Sequence, residues 1–291
     1  MLEVAALGSG SDGNSLLVRS ATTTLLVDCG FTLKETRARL ADLSLTPDAL
    51  DGVLVSHEHG DHMKGVGPLS RKHRVPVWLT HGTWRATRDR RISDVNLFHA
   101  HEPFTIGDIR IDPFPTPHDA AESCQFVFEA NGVRFANVTD LGACTPHVRA
   151  KLAGVHGLVV ECNYDPDMLR QGPYPPMLQA RIRSDWGHLG NDQAAQLVAR
   201  LDHPALQCIL LGHLSERNNS DALAHATVCE QLQDRHERVT VLAQHRCSGW
   251  FELCAATAGS SGTDAPEATD PSGQDAGRTS AAARAREPET V

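Results

Sequence analysis

Between Val53 and Val66 the chain reads VLVSHEHGDHMKGV, which sets His57, His59, Asp61 and His62 within six positions. Imidazole nitrogens and carboxylate oxygens at that density suit a divalent metal ion. His57 and His59 lie two apart, so in an extended turn both rings point the same way. Asp61 and His62 come from the tighter turn that follows. Two ligand groups from one loop can hold two metals about 3.5–4 Å apart, tied by a bridging carboxylate, and Asp140 suits that role. The stretch is not the H-E-x-x-H zinc motif: Asp61 stands where that motif needs His, and no helix is expected there. The competing readings are a histidine-rich surface turn and a closed structural zinc. Structural zinc favours Cys among its four ligands, whereas seven N/O candidates and no Cys are available here.

These candidates fall at the ends of apolar, strand-like runs. Asp28 ends TTLLVD, and His57 follows VLVS. His118 follows IRIDPF across Pro115 and Pro117. Asp140 ends VRFANVTD, and His213 ends LQCILLGH. Five strands therefore deliver an acid or an imidazole near their carboxyl ends, where sites in sheet proteins gather.

The elements that must position them follow from patterning. Strands are expected over LEVAAL, NSLLVRS and TTLLVD, then a helix over Thr32–Leu43 with Thr32 and Glu35 as a capping box. A strand at 52–56, another at 75–80 and a basic helix-like stretch near Arg85–Arg91 come next. FTIGDIRIDPF, CQFVFEA and VRFANV are strand-like, the last two joined by an Asn131-Gly132 turn. Helices are expected near 146–152, 165–171, 175–184, 191–201 and 220–233. GLVVE, LQCILLG, VTVLA and GWFEL read as strands. Alternating strands and helices predict an α/β protein with sheets covered by helices, and no solenoid period is present.

S-H-E-H-G-D-H, with T-P-H-D-A, V-T-D-L-G and L-G-H-L-S after it, resembles the metallo-β-lactamase fold from Leu2 to about Leu253. The resemblance implies a four-layer αββα sandwich, two mixed sheets flanked by helices, with a dinuclear site at one edge. By that pattern His57, His59 and His118 hold one metal, and Asp61, His62 and His213 the other. Asp140 bridges them, and Asp28 orients a ligand histidine. GSGSDGNSLLV, LLVDCGFTLKETRARL, the run from Glu161 to Ala195 and GHLSERNN further resemble the YycJ/WalJ-type bacterial subgroup, similar to DNA-processing 5′-exonucleases. One departure is Asn163-Tyr164-Asp165, where the subgroup usually has N-H-D.

What the resemblance implies is a dinuclear metal-dependent phosphodiester hydrolase, a DNA 5′-exonuclease using a metal-bridging hydroxide as nucleophile, with Asp61, Asp140 and His188 as catalytic groups. The alternative on the same fold is a small-molecule hydrolase such as a glyoxalase-II-like thioesterase. Two divalent ions are expected, Zn or Mn, with Fe also acceptable to such ligands. Of the remaining polar residues, GSGSDGNS imitates a phosphate loop, but Asn14 stands where its lysine belongs and a strand follows. No nucleotide cofactor is expected. That loop is a tight turn, or a backbone nest near a substrate phosphate, with Ser9, Ser11 and Asn14 as contacts. Asn163 is a further candidate contact. His188 precedes a helix that could start with Asn191 as cap. It is a packing residue there, or a phosphate contact or proton donor to the leaving oxygen. Ser215, Asn218 and Asn219, with Arg217, either touch substrate phosphate or shape their loop. Basic clusters at Arg71–Arg74, Arg85–Arg91 and Arg170, Arg181 and Arg183 are solvated faces or a backbone-binding groove. His99 and His101 read as loop residues.

Composition sets the outer bounds. The chain has 291 residues, 41% of them hydrophobic, and a net charge of -9. That argues against indiscriminate nucleic-acid coating while leaving room for a local groove on DNA. The eight cysteines form no C-x-x-C pair and read as free, mostly buried thiols. No run spans a bilayer, and MLEVAALGSGSDGNS lacks a signal-peptide pattern, so the expected location is cytoplasmic. Self-association is left open. A catalytic domain is expected over 1–255, and 256–291 reads as a low-complexity tail with too little apolar surface to order.

Overall fold

The computed structural model describes residues 1–232 and 235–255. The expected tail at 256–291 lies outside the described residues.

Two seven-stranded mixed sheets pack face to face among the described residues. The first runs β14(Phe251–Leu253), β1(Leu2–Gly8), β2(Ser15–Arg19), β3(Thr24–Val27), β4(Gly52–Leu54), β5(Val77–Thr80), β6(Val95–Phe98). The second runs β13(Val239–Val241), β12(Cys208–Gly212), β11(Gly157–Glu161), β10(Val133–Val138), β9(Cys124–Ala130), β8(Ile109–Pro115), β7(Phe104–Ile106). Alternation within strands builds three apolar layers. From β1, Leu2, Val4 and Ala6 face the inter-sheet core, while Ala5 and Leu7 face outward. The outward layer is covered by α1(Leu33–Asp42) and α3(Val66–His73). On the other sheet Val159 points inward, and Leu158 and Val160 point to α5(Pro146–Leu152), α8(Asn191–Leu201) and α9(Asp221–Cys229). The order helix, sheet, sheet, helix is the expected αββα sandwich. No helix among the described residues is long and apolar enough to cross a membrane.

Strand direction explains why the candidate residues meet. β3 and β4 are parallel, and β10, β11 and β12 are parallel. β8 is antiparallel to β9, which is antiparallel to β10, so β8 shares the direction of β10. Two antiparallel steps through β2 likewise align β1 with β3. The loops after β1, β3, β4, β8, β10, β11 and β12 are therefore the carboxyl-end loops of aligned strands.

Local details follow the sequence in most places. Thr32 and Glu35 form the capping box of α1. Asn131 and Gly132 both take positive φ, at 51° and 74°, as a tight hairpin turn requires. Four expectations need correction. Asp61 and His62 ride a helical turn, α2(Gly60–Met63), which is too short to leave a periodic pattern. α3 follows it and was not expected. Of the basic stretch near 85–91 only Arg85 and Ala86 are helical, as the end of α4(His81–Ala86), which Thr80 caps; Thr87–Arg91 leave the helix. Gly190, not Asn191, caps α8: its N–H donates to Gln193 Oε1 at 2.9 Å, while Asn191 pairs with Asn219.

The inter-sheet core holds Phe126, Phe128 and Phe135, all fully buried, with ring centroids about 6 Å apart. Phe128→Ala removes the middle ring. It should cost about 3–5 kcal/mol of stability, read as a lower denaturant midpoint; a loss below 1 kcal/mol would mean the sheets close over the cavity.

Candidate metal centre

Asp28, Asp140 and His213 each follow a strand and each take a left-handed backbone, with φ of 58°, 54° and 55°. Left-handed geometry disfavours most side chains but is tolerated best by Asn, Asp and His. It turns the chain sharply off the sheet edge and sends those side chains into one place.

His57, His59 and His118 bring one ligand atom each to within 4.8 Å of one another, and so do Asp61, His62 and His213. His57, His62 and Asp140 form a group that overlaps both. All seven residues expected as ligands are thus brought together. His57, His62, His118, Asp140 and His213 are buried; His59 and Asp61 are half-buried.

The hydrogen bonds around this cluster decide which ring nitrogens face inward. Asp28 Oδ2 accepts from Ser56 Oγ at 2.8 Å and lies 2.8 Å from His62 Nδ1, while Asp28 Oδ1 accepts from Ser56 N–H. A carboxylate only accepts, so His62 carries its proton on Nδ1 and turns Nε2 inward. The single Ser56 hydroxyl proton goes to Asp28. Its oxygen, 2.9 Å from His57 Nδ1, must therefore accept from that ring. His118 Nδ1 donates to the Gly187 carbonyl at 3.1 Å, and His213 Nδ1 to Glu161 Oε1 at 2.7 Å. In all four rings Nε2 is left as the inward atom.

Those inward atoms mostly face one another; the Asn14 Nδ2 amide, a donor, stands 3.3 Å from His62 Nε2. His57 Nε2 and Asp140 Oδ2 are buried and make no hydrogen bond among the described residues. His62 Nε2 lies 3.2 Å from Asp140 Oδ2 and 3.3 Å from Asp61 Oδ2. His118 Nε2 lies 3.3 Å from His59 Nδ1. Acceptors pressed together in a buried site are costly unless a cation or a proton sits among them. The donor set, all N and O, suits Zn, Mn or Fe. The residues present therefore fit divalent metal binding.

The electrostatics agree. Burial pushes the Asp140 carboxyl up, but His213, His62 and His57 around it hold it well below the usual carboxylate range. Asp61 is likewise lowered against burial, by His62 and His213. Burial presses His62 down, yet Asp140, Asp61 and Asp28 raise it well above an ordinary imidazole. His213 is raised in the same way, against burial, by Asp140, Asp61 and Glu161. The pocket attracts positive charge at its centre.

One group was missed by sequence reasoning. Glu161, fully buried at the end of β11, accepts from His213 and, at 2.7 Å, from His188 Nδ1 through the same oxygen. Its other oxygen accepts from Leu141 N–H and Leu189 N–H, each at 3.0 Å. Burial pushes its carboxyl up, but the His188 and His213 imidazoles overcome this and hold its pKa at about 2. The signal was present: GLVVE is a further apolar strand ending in an acid.

A cavity of about 290 Å³ opens over the cluster. Ser11, Asn163, His188 and Ser215 line it, beside His59, Asp61, His118, Asp140 and His213. The other four candidate substrate contacts are committed to the protein's own hydrogen bonds. Ser9 Oγ accepts from His213 N–H at 2.8 Å and bonds Asn14. Asn14 Nδ2 donates to Gly10 O and approaches Asp61 and His62. Asn218 bonds Ser215, and Asn219 bonds Asn191 and the Cys162 carbonyl. The Gly8–Asn14 loop is thus a brace for the ligand turn. Tyr164 is buried against Gly190 with its hydroxyl on Gln193, and it does not line the cavity. Of the basic clusters, Arg181 lines the cavity, whereas Arg71 pairs with Asp89 and Lys72 lines a depression beside α1. His99 stacks on His81, away from the cluster.

Residues 23–213 match the family described as "Beta-lactamase superfamily domain". The chain is 36% identical to the exodeoxyribonuclease YycJ of Bacillus anthracis, over 80% of this chain and 90% of that protein. It is 35% identical to the exodeoxyribonuclease WalJ of Streptococcus pneumoniae serotype 2, over 78% of this chain and 86% of that one. Zn(2+)-bound PqqB from Methylobacterium extorquens superposes with a TM-score of 0.66 at 17% identity, covering 86% of this chain and 100% of that one; at that identity the likeness is one of fold alone.

Two substitutions test how the cluster is held. Asp28→Asn keeps a residue that tolerates the left-handed backbone but weakens the anchor of His62 and Ser56. It should lower metal affinity about 10–100-fold, measured by competition with a chromophoric chelator. A Cβ at Gly30 would strike the Asp61 carbonyl, so Gly30→Ala should shift the Asp61–His62 turn and weaken binding too. Unchanged affinity in both variants would show that the metal is held elsewhere.

Proposed function

This chain belongs to the beta-lactamase superfamily and, within it, to the group of the YycJ and WalJ exodeoxyribonucleases; from that premise we propose that it is a DNA 5′-exonuclease whose phosphodiester hydrolysis is run by a two-metal centre. The observation that carries the reading is the convergence of seven N/O ligand candidates under an open cavity at the carboxyl edge of both sheets. His57, His59 and His118 would hold one ion and Asp61, His62 and His213 the other, with Asp140 between them. When bound, the ions supply Lewis-acid charge and make water a competent nucleophile near neutral pH.

The chain's own residues do the rest. Asp28, Ser56, Gly187 and Glu161 fix the ring orientations, so the inward nitrogens need no rearrangement. His188 lines the cavity with Nδ1 held by Glu161, which leaves Nε2 as the nitrogen free to act. Burial opposes its charge, but Glu161 raises its pKa above that of an ordinary imidazole. Held in that form it can pass a proton to the leaving oxygen. On the wall, the Ser11 hydroxyl and the proton of the Ser215 hydroxyl, whose oxygen accepts from Asn218, can meet phosphate oxygens, while Asn163 Nδ2 already donates to the His213 carbonyl.

The shape of the surroundings favours a polymer over a small thioester. The cavity adjoins a depression of about 530 Å³ through His59 and another of about 500 Å³ through Ser215. Lys64 and Arg88 line the first, with Glu58 and Asp89; Arg246 and His245 line the second, with Glu216 and Asp221. The metal cluster thus lies under a cavity that shares walls with two further depressions, rather than at the bottom of a closed pit.

A nuclease assay with end-labelled linear duplex and closed circular DNA, run separately with Zn and Mn, tests the reading. Wild type should shorten linear DNA from its 5′ ends and leave circles intact, and Asp140→Ala should abolish this. His188→Ala should keep its metal and lose about 10²–10⁴-fold in kcat. Rapid thioester hydrolysis with no DNA turnover under either metal would overturn the proposal in favour of a small-molecule hydrolase.

A further inference from the structure

Six large apolar side chains are exposed among the described residues, and three of them, Met177, Leu178 and Trp186, fall within ten positions. They belong to α7(Pro176–Ile182) and the turn after it. α7 buries none of its residues. Met177 is 85% exposed and Trp186 61%. A helix with no buried side and a bare indole is not stabilised by the core, so another partner must account for that apolar surface.

The segment is at the mouth of the metal site. Tyr174, Leu178, Arg181, Ile182 and Gly187 line the cavity over the cluster. The Trp186 carbonyl accepts from Asp119 N–H at 3.1 Å, and the next carbonyl, Gly187, orients His118. The indole is therefore one residue away from a group that sets a ligand ring. The same segment carries two arginines beside one acid, Asp185. Arg181 reaches over the site to Asp119, and Arg183 is exposed beside it. Aromatic faces next to guanidinium groups, open at a phosphodiester-cleaving site, match what single-stranded nucleic acid requires: bases stack and the backbone meets positive charge.

We propose that Tyr174–Trp186 is a stacking shelf for unpaired nucleobases, with Trp186 as the principal platform, and that it delivers a single DNA strand to the metal centre. This rests on the nuclease reading above. It predicts a sequence-tolerant preference for frayed or single-stranded ends, because every base offers a π-face while a paired base does not.

The full chain, chelated to stop turnover, is titrated against a fluorescein-labelled single-stranded oligodeoxynucleotide. Steady-state kinetics of the metal-loaded enzyme are then compared on the same oligonucleotide and on bis(p-nitrophenyl) phosphate, which has no base. Trp186→Ala should weaken oligonucleotide binding about tenfold, the loss of one stacked base. It should also raise KM for the oligonucleotide by a similar factor relative to that for the small ester. Trp186→Phe, which keeps a ring, should recover most of both. Unchanged oligonucleotide affinity in Trp186→Ala overturns the shelf. So does an equal loss on both substrates, which would place Trp186 in the scaffold of His118. A wild-type dimer that Trp186→Ala splits with DNA affinity intact would show that a second copy covers the surface. Trp186-dependent binding without DNA turnover by wild type would instead sink the exonuclease reading and leave the shelf standing.

Discussion

Lone pairs turned toward one another are the constraint on which this structure depends. Four histidines have their Nδ1 protons drawn outward by Asp28, Ser56, the Gly187 carbonyl and Glu161. What remains inside is a set of acceptors at 3.2–3.4 Å spacing that, apart from the Asn14 amide at one side, face one another. Such an arrangement is unfavourable by itself, since buried acceptors lose water and gain nothing in return. It becomes favourable once positive charge enters. The opposed displacements of His62 and His213 upward and of Asp61 and Asp140 downward are two views of that same demand.

Holding the acceptors in place requires both sheets. Asp28 and Ser56 come from the first sheet, Glu161 and His213 from the second, and Ser9 at the end of β1 ties the two by accepting from His213 N–H. Asn14 reaches from the neighbouring loop to the Asp61–His62 turn, whose carbonyls accept from Asn14 and Cys29 N–H at 2.8 Å each. Left-handed backbone at Asp28, Asp140 and His213 costs roughly 1–2 kcal/mol per residue, and it recurs where the chain must leave a strand and point a ligand at once. The aromatic core between the sheets offsets this strain by keeping the strand ends in register.

Much of this was legible because strand-end chemistry is a local pattern. TTLLVD, VLVSH, VRFANVTD and LQCILLGH each pair an apolar run with a ligand type, and no tertiary knowledge is needed to see it. Glu161 obeys the same rule but was passed over, because an acid closing GLVVE looks like a strand simply ending. Its role is visible only when His188 and His213, 27 and 52 positions away, share one of its oxygens. The Gly8–Asn14 loop has the composition of an anion nest, and composition cannot say whether Ser9 and Asn14 face a ligand or brace their neighbours. α2 escaped notice because one helical turn has no periodicity to detect. Tyr164 drew attention as a departure, yet its consequence depends on which way one side chain points.

The metal centre and the walls around it answer different questions. Ligands of this kind supply the same activated water and the same charge to a thioester, a phosphodiester or a lactam, so the centre cannot by itself select a substrate. Selection must come from groups that meet parts of the substrate remote from the bond being cut. Here the walls adjoin the centre through His59 and Ser215 and include Lys64, Arg88, Arg181 and Arg246. A chain with a net charge of -9 gains little from long-range attraction to a polyanion. Its affinity for one must then be short-range, made of a few cations and uncharged contact surface near the site. That places the weight of recognition on the residues beside the cavity mouth, where the protein leaves apolar side chains bare that its core could have used.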